Sequence, residues 1–336
     1  MRAQAHQFIT QLYNEGLPVF TKTALEDIAQ QFDQCAEKAS YGQTIRVTAL
    51  NGAIVEFPLE TDNPYPYDYG DDDYRCIMTR PRLVYRTAAE LTADRDVQFF
   101  SPTRAYLPLE VAHSTEKRCL STGCTVDGWP TTSYEAVVDR FCRARTAWRA
   151  SEHYRQFMAA LSSATIPTGI RNIVGFACST MNWAYEDKLP SDAQHALLLG
   201  LRDLLSADGH VDVHCIVQDP IYTDIDRQVL QSLNVTVLDD PRAFLEVDNN
   251  SVVLSVSPDI PIQQIITDIA RPAILLWNRV TEGKKEDPFA ADYASTRVIS
   301  MIRDEYVKVP IPEDRDYFDD LALYVRKAAC TRTEGS

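Results

Sequence analysis

A serine followed three residues later by an asparagine stands at the end of a short apolar run. The segment VGFACSTMNWAY, residues 174–185, leaves this run through small side chains and presents Ser179 and then Asn182. A serine hydroxyl at the end of a strand can carry an acyl group when another group accepts its proton. The same residues could equally turn the chain or cap a helix. Their spacing leaves the catalytic and the structural interpretation both open.

Carboxylates and a phenol follow the later apolar runs of the chain. Asp219 and Tyr222 come directly after the second run, and Asp259 follows the fourth. Asp226 lies in the first turn of a predicted helix, where the helix dipole favours an acidic residue without any function. We therefore predict Asp219 as the main polar contact for a substrate and Asp226 as a secondary one. His195 precedes the apolar stretch ALLLGL, so we expect it to pack or to lie on the surface rather than to act as a base.

An arginine cluster occupies one predicted helix, in DRFCRARTAWRASEHYR (residues 139–155). Its members are Arg140, Arg143, Arg145, Arg149 and Arg155. The formal net charge is −15, so the surface as a whole repels a nucleic acid, and any RNA contact needs a local basic patch. The cluster could contact phosphates, or it could be a solvated helix face that pairs with acidic side chains. Both interpretations stay open.

The common cofactor motifs are missing from the sequence. The turn after the first apolar run contains only Gly175, whereas a dinucleotide fingerprint needs three glycines. The sequence has no P-loop and no G-x-S-x-G nucleophile elbow. Of the eight cysteines only Cys119 and Cys124 are close together, and no second pair or histidine cluster completes a zinc site. We therefore predict no metal and no cofactor.

Residues 1–165 are irregular in pattern, and we predict that they form an N-terminal α+β extension. The spacing predicts a helix over 23–39, a hairpin over 44–59 and one long helix over 133–161. The Tyr- and Asp-rich segment 60–75 is predicted to be a loop. Its role as a lid, a substrate wall or a connector stays open.

Residues 166–336 alternate short apolar runs with helical patterns, and we predict that they form the catalytic domain. The predicted strands are 172–177, 211–220, 235–240, 251–258 and 272–280. Short buried strands separated by helices indicate a mostly parallel sheet covered on both faces, which is a doubly wound, Rossmann-like α/β fold. Ligands of such sheets bind at the carboxyl ends of the strands, near the switch in strand order. The serine and the carboxylates above fall at these ends.

Nothing in the sequence predicts a membrane protein or a secreted one. The first twenty residues lack the unbroken apolar stretch of a signal peptide, and no window approaches 18 apolar residues. Hydrophobic residues make up 45% of the chain and charged residues 24%, which is typical of a globular protein. We expect a cytoplasmic protein with reduced thiols and no membrane partner.

Four segments occur in an order typical of a known family. They are GFACS, QHALLLGLRDLL, QDPIYTDIDRQVLQSLNVTVLDDPRAFL and SVVLSVSPDIPIQQIITDIARPA. Through them the segment from about 172 to 280, about a third of the chain, resembles the domain family named after the plant regulator whose loss reduces sensitivity to red light. Members of that family are said to regulate clocks and haem synthesis.

A fungal branch of this family, the arginine-containing cyclodipeptide synthases, resembles the chain more closely. The resemblance rests on QDPIYT, on SVSPDIPIQQIITDIARPA and on the long N-terminal extension. It implies an aminoacyltransferase of secondary metabolism that takes Arg-tRNA and a second aminoacyl-tRNA and releases a cyclic dipeptide, a diketopiperazine. An aminoacyl ester is already activated, so this reaction needs no ATP site.

Bacterial cyclodipeptide synthases carry a G-x-S-x-x-N-S-Y-type pattern after their first strand, and its serine takes the first aminoacyl group. Ser179, Asn182 and Tyr185 match this pattern in part. Gly175 lies four residues before the serine instead of two, and Trp183 replaces a small residue. The Tyr-x-x-x-Glu pair of that family has no counterpart that we can place, so the general base is left unassigned.

The resemblance implies roles for the residues singled out above. Ser179 would carry arginine as an ester, with Asn182 and Tyr222 as catalytic partners. Recognition of the guanidinium calls for carboxylates that can accept two hydrogen bonds at once. The predicted substrate-binding residues are Asp219, Asp226, Asp259 and Tyr185. The predicted tRNA-binding residues are Arg140, Arg143, Arg145 and Arg149.

Two other classes of function stay open. One is a non-catalytic regulatory or binding protein of the same family, and the other is a nucleotide-dependent enzyme on a Rossmann-like sheet. A regulator needs neither Ser179 nor the basic helix, whereas the synthase needs both.

Overall fold

A computed structural model describes most of the chain. The described residues are 2–36, 43–66, 73–93, 104–126, 131–184, 190–207, 212–282 and 291–328. Within these ranges, no helix combines the length and the apolar character that crossing a membrane requires.

The N-terminal part combines helices with two small antiparallel sheets. In chain order its elements are α1 (Arg2–Asn14), α2 (Lys22–Ala36), β1 (Thr44–Thr48), β2 (Ile54–Pro58), β3 (Tyr74–Tyr85), α3 (Ala88–Thr92), β4 (Leu109–Cys119), β5 (Thr125–Val126), α4 (Tyr134–Ala150) and α5 (Glu152–Ser163). Strands β1 and β2 pair in an antiparallel hairpin, as the sequence predicted. Strands β3, β4 and β5 form the second sheet.

The single long helix predicted over 133–161 is two helices, α4 and α5, that meet at Ser151. The Ser151 hydroxyl donates to the carbonyl of Trp148 at 2.6 Å and accepts the backbone N–H of Tyr154 at 3.1 Å. One side chain thus satisfies the end of one helix and the start of the next. The periodicity predicted the two helices as one because the apolar spacing continues past this break.

The second half of the chain builds the main sheet. Its elements are β6 (Asn172–Phe176), α6 (Pro190–Ala207), β7 (His214–Gln218), α7 (Asp224–Ser232), β8 (Val235–Val237), α8 (Arg242–Leu245), β9 (Ser251–Ser255), α9 (Ile262–Ile269), β10 (Ile274–Asn278), α10 (Thr296–Glu305), β11 (Tyr306–Val309), α11 (Arg315–Phe318) and β12 (Leu321–Arg326). The seven strands are arranged in the order β11-β12-β10-β9-β6-β7-β8.

Five neighbouring strands of the seven are joined by parallel pairing, as the alternating pattern predicted. Strands β8, β7, β6, β9 and β10 run in one direction, and β12 returns antiparallel to β10. The order reverses between β6 and β9, where Phe176 lies beside Ser255 in the register. This reversal is the switch point at which doubly wound sheets bind their ligands.

Apolar layers cover both faces of the sheet. One face, which includes Val174 and Phe176 of β6, packs on N-terminal residues such as Phe20. The opposite face, which includes Ile173, packs on α4, α5 and α6. Alternate residues of β6 therefore point into two different cores, which is the arrangement of a doubly wound α/β fold.

Gly175 serves packing between the sheet and helix α6. A β-carbon at this position would lie 2.9 Å from Leu198 Cδ1 and 3.2 Å from Val217 Cγ1. Only glycine lets α6 approach β6 this closely. The boundary between the two parts at residue 165 stays a prediction, since α4 and α5 share the apolar core of α6.

Candidate active site at the switch point

Backbone strain is concentrated on the two loops that flank the switch point. Ala177 and Ser179, after β6, have φ angles of 54° and 62°, and Ser257, after β9, has a φ angle of 46°. Non-glycine residues in this left-handed region cost about 1–3 kcal/mol each and persist only where the surrounding structure holds them. Such strain is concentrated at active sites and ligand-binding loops.

Asp219 holds the backbone of Ser179 in its strained conformation. The Ser179 N–H donates to one carboxylate oxygen of Asp219 at 2.8 Å, and the Ile221 N–H donates to the other at 3.1 Å. Burial raises the pKa of Asp219, while the N–H groups of Ile221 and Ser179 lower it and the charges of Asp226 and Asp259 raise it again. Asp219 is therefore a buried carboxylate with two other carboxylates near it.

The hydroxyl of Ser179 is the reactive group that this loop presents. Ser179 is half-buried, so its side chain is neither sealed in the core nor fully solvated. Among the described residues, no side chain hydrogen-bonds to this hydroxyl. The structure thus offers a half-buried hydroxyl with, in the described ranges, no general base hydrogen-bonded to it.

Asp226 lies beneath the loop rather than in the crevice. Its carboxylate is fully buried and accepts the Met181 N–H at 2.8 Å and the Thr180 hydroxyl at 2.6 Å. It also accepts the Thr223 N–H at 2.7 Å, which completes a capping box at the start of α7. The helix-start interpretation of Asp226 accounts for these contacts, and the carboxylate has no exposed surface for a substrate.

Asn182 fastens the same loop to two other elements. Its side-chain oxygen accepts the Thr132 N–H at 2.8 Å, just before α4, and its amide donates to the Thr223 hydroxyl at 3.2 Å. The residue is 3% exposed. In this structure Asn182 therefore positions the serine loop from below.

Arg140 is buried, although the sequence placed it with the phosphate-binding arginines. Its Nε donates to Asp192 at 3.0 Å, one Nη donates to the carbonyl of Trp183 at 3.0 Å, and the other donates to the carbonyl of Met181. Only 8% of Arg140 is exposed. A guanidinium with three internal partners has no free face for a phosphate, which corrects that prediction.

The other arginines of α4 are more accessible than Arg140: Arg143 is exposed, and Arg145 and Arg149 are half-buried. Arg143 pairs with Asp139, and Arg145 and Arg149 share Asp203 on α6. These pairs match the solvated-face interpretation of the cluster. Exposed pairs of this kind contribute about 0–1 kcal/mol, so phosphates could displace the acidic partners at little cost.

Tyr222 and His195 form a buried neutral pair behind the loop. His195 Nδ1 lies 2.7 Å from the carbonyl of Ser191, which can only accept, so Nδ1 carries the proton. Its Nε2, 2.8 Å from the Tyr222 hydroxyl, must then accept from it. Burial lowers the pKa of His195 to about 4 and raises that of Tyr222. His195 packs in the core, and the Tyr222 hydroxyl is committed to it.

A polar cluster around Ser257, a strand-end residue of the sequence, lies on the other side of the switch point, and the sequence did not predict its two partners. The Ser257 N–H donates to the Asn278 side chain at 2.6 Å, and the Ser257 hydroxyl donates to Asp319 at 2.6 Å. Asp319 and Asp259 are both exposed. Asn278 could have been found as a strand-end residue, whereas Asp319 follows a short helix that carries no such signal.

Two further predictions concern residues and ligands around this site. Tyr185, predicted to bind substrate, lies outside the described residues. Within the described part of the chain, no group of three or more His, Cys, Asp or Glu side chains is arranged to hold a metal ion.

Comparison with known proteins gives one family match and weak structural likenesses. The family model described as the SRR1 domain matches residues 155–325. No curated protein matches the chain significantly. The chain is similar to a proposed O-methyltransferase from Klebsiella pneumoniae, with 14% identity and a TM-score of 0.32 over 57% of this chain and 90% of the other. It is also similar to the pyocyanin biosynthetic protein PhzM, with 12% identity and a TM-score of 0.28 over 58% and 62%. The family match includes both strained loops.

Proposed function

This chain belongs to the SRR1 domain family, and we propose that it is an aminoacyl-tRNA-dependent cyclodipeptide synthase that makes an arginine-containing diketopiperazine. The observation that carries the proposal is Ser179, a strained serine with a φ angle of 62° at the switch point of the sheet. Its backbone is held from below by buried carboxylates, and its hydroxyl is left without a partner among the described residues.

The first step transfers arginine from tRNA to the serine. The Ser179 oxygen attacks the carbonyl carbon of the arginyl ester, and the bond from that carbon to the ribose oxygen breaks. The serine proton passes to the departing ribose oxygen, so one ester replaces another and no energy input is needed. Proton transfer to the leaving group fits the absence, in the described ranges, of a base beside the hydroxyl.

The second and third steps form the two peptide bonds. The α-amine of a second aminoacyl-tRNA attacks the arginyl ester, and the serine oxygen leaves and takes up the proton that the amine loses. The arginine α-amine of the resulting dipeptidyl-tRNA then attacks the remaining ester carbonyl. The ring closes, the second ribose oxygen leaves with a proton, and Ser179 is free again.

Negative charge around the crevice supports arginine as the first residue. Asp259 lies close enough to Asp219 for its charge to raise the pKa of Asp219, and Asp319 accepts the Ser257 hydroxyl on the loop after β9. A guanidinium stays charged at any physiological pH and binds carboxylates with two parallel hydrogen bonds. A cationic substrate side chain would neutralise this charge, whereas an acidic one would be repelled.

The experiment is expression of the protein in a bacterial host, followed by mass spectrometry of the medium. We expect cyclic dipeptides that contain arginine, and we expect none from Ser179→Ala. Ser163→Ala, at an exposed position on α5, is the matched control and should keep wild-type yield. Product formed by Ser179→Ala at the wild-type rate would refute the serine ester.

The alternative is a non-catalytic binding protein of the same family. The observation in its favour is that Asn182 and Tyr222, predicted as catalytic partners of Ser179, are instead buried and hydrogen-bonded to Thr132, Thr223 and His195. Purified protein incubated with arginyl-tRNA separates the two functions. A synthase gains the mass of one arginyl group on the intact wild-type chain but not on Ser179→Ala, whereas a binding protein gains none.

A further inference from the structure

A cavity that the proposed chemistry does not use lies beside helix α4. Its volume is about 350 Å³, and its walls come from α4, α6, α11 and the turn between α4 and α5. This volume falls in the range of small-molecule sites, about 300–1,000 Å³.

The walls suit a flat apolar ring. The aromatic side chains of Trp148 and Tyr317 line the cavity, together with the small side chains of Ala144, Ala147 and Ala193. Trp148 is 8% exposed, and its indole N–H is buried without a hydrogen-bond partner in the described structure.

The rim of the cavity suits an anionic substituent on the ring. Two arginines, Arg140 and Arg143, line the cavity together with one carboxylate, Asp314. Arg143 is exposed, and a phosphate could displace its surface partner Asp139 at little cost. In a chain with a net charge of −15, this is a local reversal of sign next to an aromatic cavity. Aromatic stacking together with basic side chains is the combination that binds nucleotides.

Arg140 connects the cavity to the serine loop. It lines the cavity, and its guanidinium donates to the carbonyls of Met181 and Trp183, two and four residues after Ser179. Ala193, on the opposite wall, lies in the first turn of α6, the helix that follows this loop. A ligand in the cavity would therefore lie directly against the support of the proposed nucleophile.

We propose that this cavity binds a purine nucleotide and, if the proposed function holds, that its occupant is the 3′-terminal adenosine of an aminoacyl-tRNA. The base stacks between the aromatic side chains, and the phosphate lies toward Arg143. In this placement the aminoacyl ester, which is attached to the terminal ribose, would lie near the loop that Arg140 supports.

The test is calorimetric titration of the full chain with AMP. We expect AMP to bind, and ribose 5-phosphate and inorganic phosphate, which lack the base, to bind at least tenfold more weakly. Ala147→Leu fills the cavity and should weaken AMP binding at least tenfold, about 1.4 kcal/mol. Ala150→Leu, an exposed position on the same helix that does not line the cavity, is the matched control and should bind AMP as the wild type does. A wild type that does not bind AMP, or an Ala147→Leu variant that binds it equally well, would overturn the proposal.

A second titration, with tRNA, tests whether the nucleotide is free or is the terminal adenosine of a tRNA. Its outcome can be told apart from a failure of the proposed function. Intact tRNA should bind more tightly than tRNA trimmed of its terminal adenosine, and Ala147→Leu should abolish the difference. Equal binding of the two tRNAs would overturn the tRNA assignment and leave a free nucleotide as the occupant. Specific AMP binding by a protein that makes no cyclic dipeptide would overturn the proposed function and support the cavity assignment.

Discussion

Asp219 contacts the strained serine directly and is itself buried beside other acids. Its two oxygens each accept one backbone N–H, from Ser179 and from Ile221. Because the left-handed conformation of Ser179 is costly, removing one of these acceptors should let the loop relax. The position of the hydroxyl thus depends on a residue that was predicted to contact the substrate itself.

Asp219→Asn should show how far the activity depends on Asp219 holding Ser179 in position, as distinct from its effect on the stability of the fold. The asparagine amide can accept only one of the two N–H groups, so we expect a loss of about 1–3 kcal/mol in the free energy of unfolding and at least a tenfold loss in the rate of product formation. Denaturant titration measures the free energy of unfolding, and mass spectrometry measures the rate of product formation. Asp212→Asn, at an exposed position before β7, should change neither. Wild-type activity in Asp219→Asn would contradict the positioning role.

His195 makes stability depend on pH in a definite direction. Burial lowers its folded-state pKa to about 4, below the ordinary value of 6.5. Between these values the unfolded chain binds more protons than the folded one, so stability falls as pH falls from about 6.5 to about 4. The shift corresponds to a loss of up to about 3 kcal/mol.

His195→Gln should remove this acid-sensitive contribution, and the difference between variant and wild type isolates it. Asp240 acts in the opposite direction, since burial raises its pKa to about 6 and it favours folding as pH falls through that value. The Asp240 contribution is common to both proteins and cancels in the difference. Denaturant titrations of both proteins at pH 7 and pH 4.5 measure this difference in the free energy of unfolding. If the two proteins lose the same stability between these pH values, His195 is not the source of the acid sensitivity.

Helix α4 has a buried face, which supports the serine loop, and a more accessible face, which carries other arginines. Its inner face inserts Arg140 against Asp192 and the carbonyls of the serine loop, while its outer face carries Arg143, Arg145 and Arg149. Removing one partner from a buried ion pair leaves an uncompensated charge, which costs about 3–5 kcal/mol. Surface substitutions change stability by about 0.5 kcal/mol or less.

Arg140→Gln and Arg143→Gln should therefore behave differently. We expect the first to lower the free energy of unfolding by about 3–5 kcal/mol and the second to leave it unchanged, as measured by urea titration. Arg143→Gln should also bind tRNA less tightly than the wild type does, while the protein stays folded. Equal stability of the two variants would show that Arg140 is not the support of the loop.

At the scale of the whole molecule, most of the sheet could be predicted, because short apolar runs between helical patterns determine buried parallel strands. The strand ends and the site edge follow from the same pattern. Strands β11 and β12 were not predicted, since their antiparallel pairing joins distant segments. The cluster of Ser257, Asn278 and Asp319 depends on this return and was missed with it. The burial of Arg140 was missed because its partner, Asp192, is 52 residues away and helical spacing does not reveal it.

The charge distribution of the whole molecule predicts how salt affects tRNA binding. The chain repels RNA overall, so affinity should depend on the few outward arginines and fall steeply with ionic strength. Replacing Arg143, Arg145 and Arg149 together by Gln should flatten the slope of log affinity against log salt by about two units, measured by filter binding. An unchanged slope would place the RNA on another surface.

The contacts that steady the serine loop come partly from outside the family domain. Arg140 and Thr132 precede residue 155, where the match to the family begins. A fragment trimmed to the matched residues would keep every strand of the sheet from β6 to β11, yet Asp192 would lose its ion-pair partner Arg140, and the carbonyls of Met181 and Trp183 would lose their donor. Helix α4 therefore supports the serine loop from outside the matched region, and expression of the matched region with this helix should give a more stable fragment than expression without it.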